Sequence, residues 1–154
     1  MCRGVRIVHH LMCVLLITLL YSFSGQAQTR SMGSDGIIGK LEKIIDLVEG
    51  RGMEVVRIEA DIIRQTKETR RQLDPNFTYT IAAVGSDRIE DLDIEVYKKV
   101  NGSWRLVGKD ADTSSIAVVE VKPTAYSEYA IRVKVYKFKP SYSVGHYGLA
   151  IIHD

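Results

Sequence analysis

Two pairs of acids have the types and spacing for chemistry: Asp91 with Asp93, and Asp110 with Asp112. Acids at alternate positions of an extended strand project to one face, and clustered carboxylate oxygens suit Ca²⁺. An EF-hand loop is excluded, because Val96 stands where that loop needs its glycine and Gly102 where it needs its closing glutamate. The competing expectation, and the favoured one, is a charged sheet face on which Asp93 and Glu95 pair with Arg132 and Lys134 across neighbouring strands. A small hydrolase using Asp91, Asp93 or Asp110 would need two separated carboxylates in different environments beside a cleft. The sequence offers neither.

Other catalytic and ligating groups are sparse. His146 and His153 fall on opposite faces of one continuous strand, which removes the obvious two-histidine zinc site. There is no Gly-x-Ser-x-Gly elbow and no glycine-rich phosphate loop. The chain is therefore expected to be non-enzymatic and without a cofactor. Ca²⁺ at Asp91, Asp93, Asp110 and Asp112 is the one metal worth testing.

Aromatic residues offer a different function. Tyr126, Tyr129, Tyr136, Phe138, Tyr142 and Tyr147 crowd the last third of the chain, and Trp104 stands alone. Exposed aromatics stack on sugars or anchor protein partners. Tyr129 and Tyr147 are expected in the core. Tyr136 shares the polar side of its segment with Lys134, and Phe138 and Tyr142 lie in a turn region. With Trp104, these three are the candidate binding residues.

The elements that must position these groups begin after a leader. Arg3 and Arg6 are the only charged residues before residue 28, an apolar run from Leu11 to Leu20 is broken only by Thr18, and Gly25 and Ala27 supply small residues. This is the pattern of a secretory signal cleaved after Ala27. The run is too short for a membrane span, which takes about 20 apolar residues. Cys2 and Cys13 both fall within residues 1–27, so the exported chain has no disulfide and no thiolate metal site. Cys13 lies inside the apolar run with no small residues before it, which argues against a lipid anchor. The absence of disulfides fits a bacterial periplasm or surface. Removing Arg3 and Arg6 leaves 19 basic residues against 19 acidic ones, so nothing in the charge points to nucleic acid. No transmembrane segment is expected after cleavage.

Residues 28–36 read as a flexible lead-in. Ile37, Leu41, Ile44, Ile45 and Val48 then recur on one helical face, with Ser34 or Asp35 as a cap and Gly50 as a stop. This amphipathic helix is expected to cover a face or end of the domain. Residues 54–63 fit either a helix or a strand, and their β-branched content favours a strand. From Thr66 onward short strands alternate with turns. Asp74-Pro75-Asn76 forms one turn, and Asn101-Gly102 signals a hairpin. The expectation is a mainly β fold over residues 37–154: a jelly-roll-type sandwich of seven or eight antiparallel strands, with the N-terminal helix packed against it.

Several of these segments resemble a known family in their order. Tyr79-Thr80-Ile81-Ala82-Ala83-Val84-Gly85 and Asp91-Leu92-Asp93-Ile94-Glu95-Val96-Tyr97 come first. Asp110-Ala111-Asp112, Ala117-Val118-Val119 and Pro123 follow, then Tyr129-Ala130-Ile131-Arg132-Val133 and Gly145-His146-Tyr147-Gly148-Leu149. Together, over about residues 66–153, they resemble the bacterial pre-peptidase C-terminal domain. The resemblance implies a jelly-roll sandwich of secreted bacterial proteins, often appended to a peptidase, some of whose relatives bind collagen or carbohydrate. Here the domain is expected to stand without its peptidase, and Ala125-Tyr126-Ser127-Glu128 replaces a glycine common between Pro123 and Tyr129. The functional expectation is an exported accessory domain, periplasmic or extracellular, that recognises a protein or glycan. A purely structural envelope or matrix component is the alternative.

Overall fold

The computed structural model describes residues 35–154. The leader, its cleavage point and the lead-in up to residue 34 lie outside the described residues. The described residues form α1 (Asp35–Glu49) and eight strands: β1 (Glu54–Ile63), β2 (Thr66–Leu73), β3 (Tyr79–Gly85), β4 (Ile89–Val100), β5 (Ser103–Asp110), β6 (Ile116–Val121), β7 (Ser127–Phe138) and β8 (Gly145–His153). The segment left open between helix and strand is the strand β1.

The strands make two antiparallel sheets, ordered β1-β8-β3-β6 and β2-β7-β4-β5. Strands adjacent in sequence mostly lie in opposite sheets, which is the jelly-roll arrangement. The two inner faces meet in one core. Ile81, Ala83, Leu149 and Ile151 from the first sheet face Leu92, Ile94, Val96, Ile131 and Val133 from the second. Tyr129 and Tyr147 belong to this core, as their sequence positions led us to expect.

The sequence also explains why only one sheet carries the helix. β4 and β7 alternate apolar with charged residues, so one face is dry and the other wet. β3 and β8 instead run nearly continuously apolar, as in Ile81-Ala82-Ala83-Val84 and Leu149-Ala150-Ile151-Ile152. Strands of that kind need cover on both faces. The cover is α1, whose Ile37, Leu41 and Val48 pack on Val84, Ala150 and Ile152. Gly148 lets it approach: a Cβ there would sit 2.9 Å from two side-chain carbons of Leu41. The Lys40 ammonium donates to the Gly85 carbonyl at 2.7 Å and ties the helix to the end of β3.

The helix starts at Asp35, two residues before the apolar repeat. Its stop lies at Gly52 rather than Gly50. Gly52 adopts φ 73°, and the amides of Gly52 and Met53 donate to the carbonyls of Glu49 and Val48, both at 3.0 Å. Met53 packs in the same cluster as Val48, which completes a Schellman stop.

The Asn101-Gly102 hairpin forms with φ 49° and 80°, the left-handed pair that a tight two-residue turn requires. Gly102→Ala is expected to cost about 1 kcal/mol, because an L side chain is strained there. The measurement is the urea midpoint, with an unchanged slope.

Candidate functional site

The open face of β2-β7-β4-β5 is where the sequence placed its charged ladder and where Trp104 lies. The Asn101-Gly102 turn sets the register: Lys99 stands opposite Trp104, and Tyr97 opposite Leu106. On the other side of β4, Tyr97 faces Ala130 and Glu95 faces Arg132. β2 completes the face, with Arg70 beside Ala130 and Glu68 beside Arg132. Ala130 has little side chain, so the long residues around it lean over the middle of the sheet.

A continuous polar and aromatic network results. The Trp104 ring has the Arg70 guanidinium 5.2 Å from its centroid and the Lys99 ammonium at 5.6 Å. Glu68 accepts from Arg70 Nε at 2.9 Å and from Arg132 Nε at 2.8 Å. Arg132 lies 4.6 Å from the centroid of Tyr97, whose hydroxyl donates to Glu95 at 2.8 Å. Glu95 takes Lys134 at 3.3 Å, and Lys99 reaches Glu128 at 2.7 Å. The electrostatics follow the contacts. Hydrogen bonds from Arg132 and Arg70 hold the Glu68 carboxyl below its ordinary range. Burial pushes Glu95 up, but the Tyr97 hydroxyl and Lys134 outweigh it and the carboxyl ends lowered. The acceptor Glu95 holds the Tyr97 hydroxyl above its usual value.

The acids distribute differently from the expected ladder. Glu95 does pair with Lys134, but Arg132 is taken by Glu68 rather than by Asp93. Asp91 and Asp93 are not surface groups, with only 6% and 7% of their surface exposed. β4 is irregular on both sides of Asp91, and one of its carboxylate oxygens is buried with no donor. Burial, then the neighbouring Asp91, push the Asp93 carboxyl up, against the pull of Lys109 and Lys134. Asp110 ends β5, and Asp112 lies beyond it in a loop, so these two do not share a strand face. The Asp110 carboxylate accepts from the Asp112 amide at 3.1 Å and the Val118 amide at 2.7 Å. Among the described residues no three acids, histidines or cysteines gather around a common point.

The aromatic candidates also separate. Tyr136 is 78% exposed. Phe138, expected in a turn, is the last residue of β7, opposite Ile89, and packs against the core. Tyr142 sits at the turn with the Arg88 guanidinium 5.4 Å from its ring centroid. Tyr136 is six residues along β7 from Ala130, hence roughly 20 Å away at strand spacing. Trp104 and the Tyr136–Tyr142 region therefore mark opposite ends of the sheet. Tyr97, Arg70, Lys99 and Arg132 were not singled out as binding residues. Lys99 could have been found, because a two-residue turn at Asn101-Gly102 places it opposite Trp104. Arg70 could not, since it comes from a strand far off in sequence. Burial pushes the Tyr147 hydroxyl up to about 12, so it is no acid or base at neutral pH.

No family model matches the chain, and no curated protein matches it. Solved structures to which the chain is partly similar include three of low identity. PliG of Aeromonas hydrophila, a periplasmic inhibitor of g-type lysozyme, is 13% identical over 66% of this chain and 86% of its own, with a TM-score of 0.44. The Yersinia pseudotuberculosis-derived mitogen is 12% identical over 64% and 84%, with a TM-score of 0.42. PirA is 12% identical over 65% and 94%, with a TM-score of 0.38. At these values none assigns the chain a family or a function. Among the described residues no helix is long and apolar enough to cross a membrane.

Proposed function

We propose that the chain is an exported, non-catalytic binding domain that recognises a protein or glycan through the open face of β2-β7-β4-β5, centred on Trp104. The observation that carries this reading is the half-buried indole with Arg70 and Lys99 at its ring. It offers an apolar plane and fixed hydrogen-bond donors in one place. A sugar ring with hydroxyls or carboxylates, or a protein surface with acids around an apolar contact, complements that pattern. The leader-like N-terminus supports export. The resemblance to pre-peptidase C-terminal domains supports an accessory role.

Trp104 is the single tryptophan, so its emission reports on this face alone. Titration with neutral oligosaccharides, acidic oligosaccharides and acidic proteins is expected to give a saturable change in emission with at least one class. Calorimetry should then show Trp104→Ala binding about tenfold or more weaker, as for a central tryptophan anchor. Unchanged affinity in that variant would remove the face from the reading.

A structural component of the envelope or matrix is the second reading, and one observation favours it. Ile58 and Ile62 on β1, Ile116 and Val118 on β6, and Ile38 and Leu47 on α1 are all substantially exposed. Exposed apolar side chains of this kind occur where subunits associate. Concentration-dependent self-association without any ligand would favour this reading.

A further inference from the structure

β1 and β2 are edge strands of opposite sheets, joined through residues 64–65, so their inward side chains meet along an open seam of the sandwich. The seam is built in rungs. Lys67 donates to Asp61 at 2.6 Å. Two residues further along each strand, Thr69 donates to Glu59 at 2.9 Å. The next step brings Arg57 on β1 to Arg71 on β2, two cations where the earlier rungs place an acid. Arg57 turns back to Glu59 on its own strand. Arg71 has no ion-pair partner among the described residues, and its Nε–H is buried with no acceptor.

A buried guanidinium N–H without an acceptor is costly, because the group has lost its water and gained nothing. Arg71 itself lines a cavity. A cleft of about 130 Å³ opens at this rung, lined by Arg57, Arg71 and Gln72 on its polar side and by Leu73, Tyr79 and Ile151 on its apolar side. The β-bulge between Val55 and Arg57 lies at the same place.

We propose that the Arg57–Arg71 cleft is a binding site for a carboxylate carried on a short apolar group. The guanidinium of Arg71 would take the carboxylate as a planar fork, with Arg57 and Gln72 as further donors. The apolar tail would lie on Leu73, Tyr79 and Ile151. The cleft's apolar wall makes phosphate or sulfate a poorer fit than an alkyl carboxylate. The carboxylate is either a free short-chain acid or the C-terminus of a peptide ending in a small apolar residue. This site is independent of the Trp104 face.

The test is the thermal midpoint of the protein in millimolar sodium butyrate against sodium chloride at equal ionic strength. A second arm uses a short peptide ending in valine, with its C-terminal amide as the blank. A ligand of the folded state raises the midpoint saturably. Butyrate or the free-acid peptide is expected to do so, whichever source is used, and chloride and the amide are not. In Arg71→Gln the affinity should fall by about tenfold or more. In Lys67→Gln, one acid-bearing rung away, it should be unchanged. Arg71→Glu should abolish the response while keeping or raising the midpoint without ligand, because it supplies Arg57 with the missing acid. A flat wild-type response to both probes overturns the proposal. So does an equal rise in Arg71→Gln, or in Arg71→Glu should the first variant not fold.

Discussion

Ile131→Ala should destabilise the protein by about 3 kcal/mol or more, a large share of a total that is typically 5–15 kcal/mol. Ile131 lies on β7, an inner strand of its sheet, opposite Thr69 on one side and Val96 on the other. It is completely buried between the sheets. Truncation removes its transfer free energy and leaves a cavity, because close-packed neighbours relax only partly. The companion change Ile62→Ala deletes the same atoms from β1, where the side chain is 52% exposed. It should cost about 0.5 kcal/mol or less. Urea denaturation of both variants gives the comparison directly. A comparable loss for Ile62→Ala would mean that the outer face of β1 is covered in solution.

Asp93→Asn should stabilise the protein at neutral pH, by about 1 kcal/mol on the cost of an ill-partnered buried carboxylate. Burial and the adjacent Asp91 raise the Asp93 carboxyl above its ordinary 3.8. The folded state therefore binds this proton more tightly than the unfolded state does. The resulting stabilisation is present in acid, below the unfolded value, and is lost as pH climbs through the folded value. Asparagine removes the penalty above that window and gives nothing below it. The advantage of the variant should accordingly shrink as pH falls toward about 3. Midpoints across pH measure this. A loss of stability at pH 7 would instead mean that a bound cation neutralises the Asp91–Asp93 pair, which is the calcium reading of these acids.

The fold was largely legible because its patterns were local. The alternation of Leu92, Ile94 and Val96, the left-handed Asn101-Gly102 turn and the helical repeat of Ile37, Leu41 and Val48 each depend on near neighbours. The helix was expected on a face or end of the domain, and the doubly apolar runs of β3 and β8 account for which face it takes. The candidate site was less legible because it is made by pairing distant strands. Glu68 captures Arg132 across the β2–β7 register, so Arg132 was unavailable to Asp93. Asp110 and Asp112 looked like strand neighbours, but the strand ends between them. β1 misleads in another way. Ile58, Ala60 and Ile62 alternate with charges as a core-facing strand would, yet they lie opposite Ala150, Gly148 and His146, while Glu59 and Asp61 turn inward to β2. At an edge shared by two sheets, the inward side can be the polar one.

The position of β8 between β1 and β3 has a consequence for how the chain acquires its structure. The last strand in sequence is an inner member of the first sheet, and it also contributes Ala150 and Ile152 to the seat of α1. Until β8 is in place, β1 has no hydrogen-bonded neighbour in its sheet, and α1 has only the part of its seat that β3 supplies. A chain emerging in order must hold the seat of α1 incomplete, and β1 without its sheet neighbour, until residues 145–153 have followed. Such long-range closure makes folding slow and late. Removal of the C-terminal strand would leave the first sheet in two pieces, and the helix with much of its seat gone.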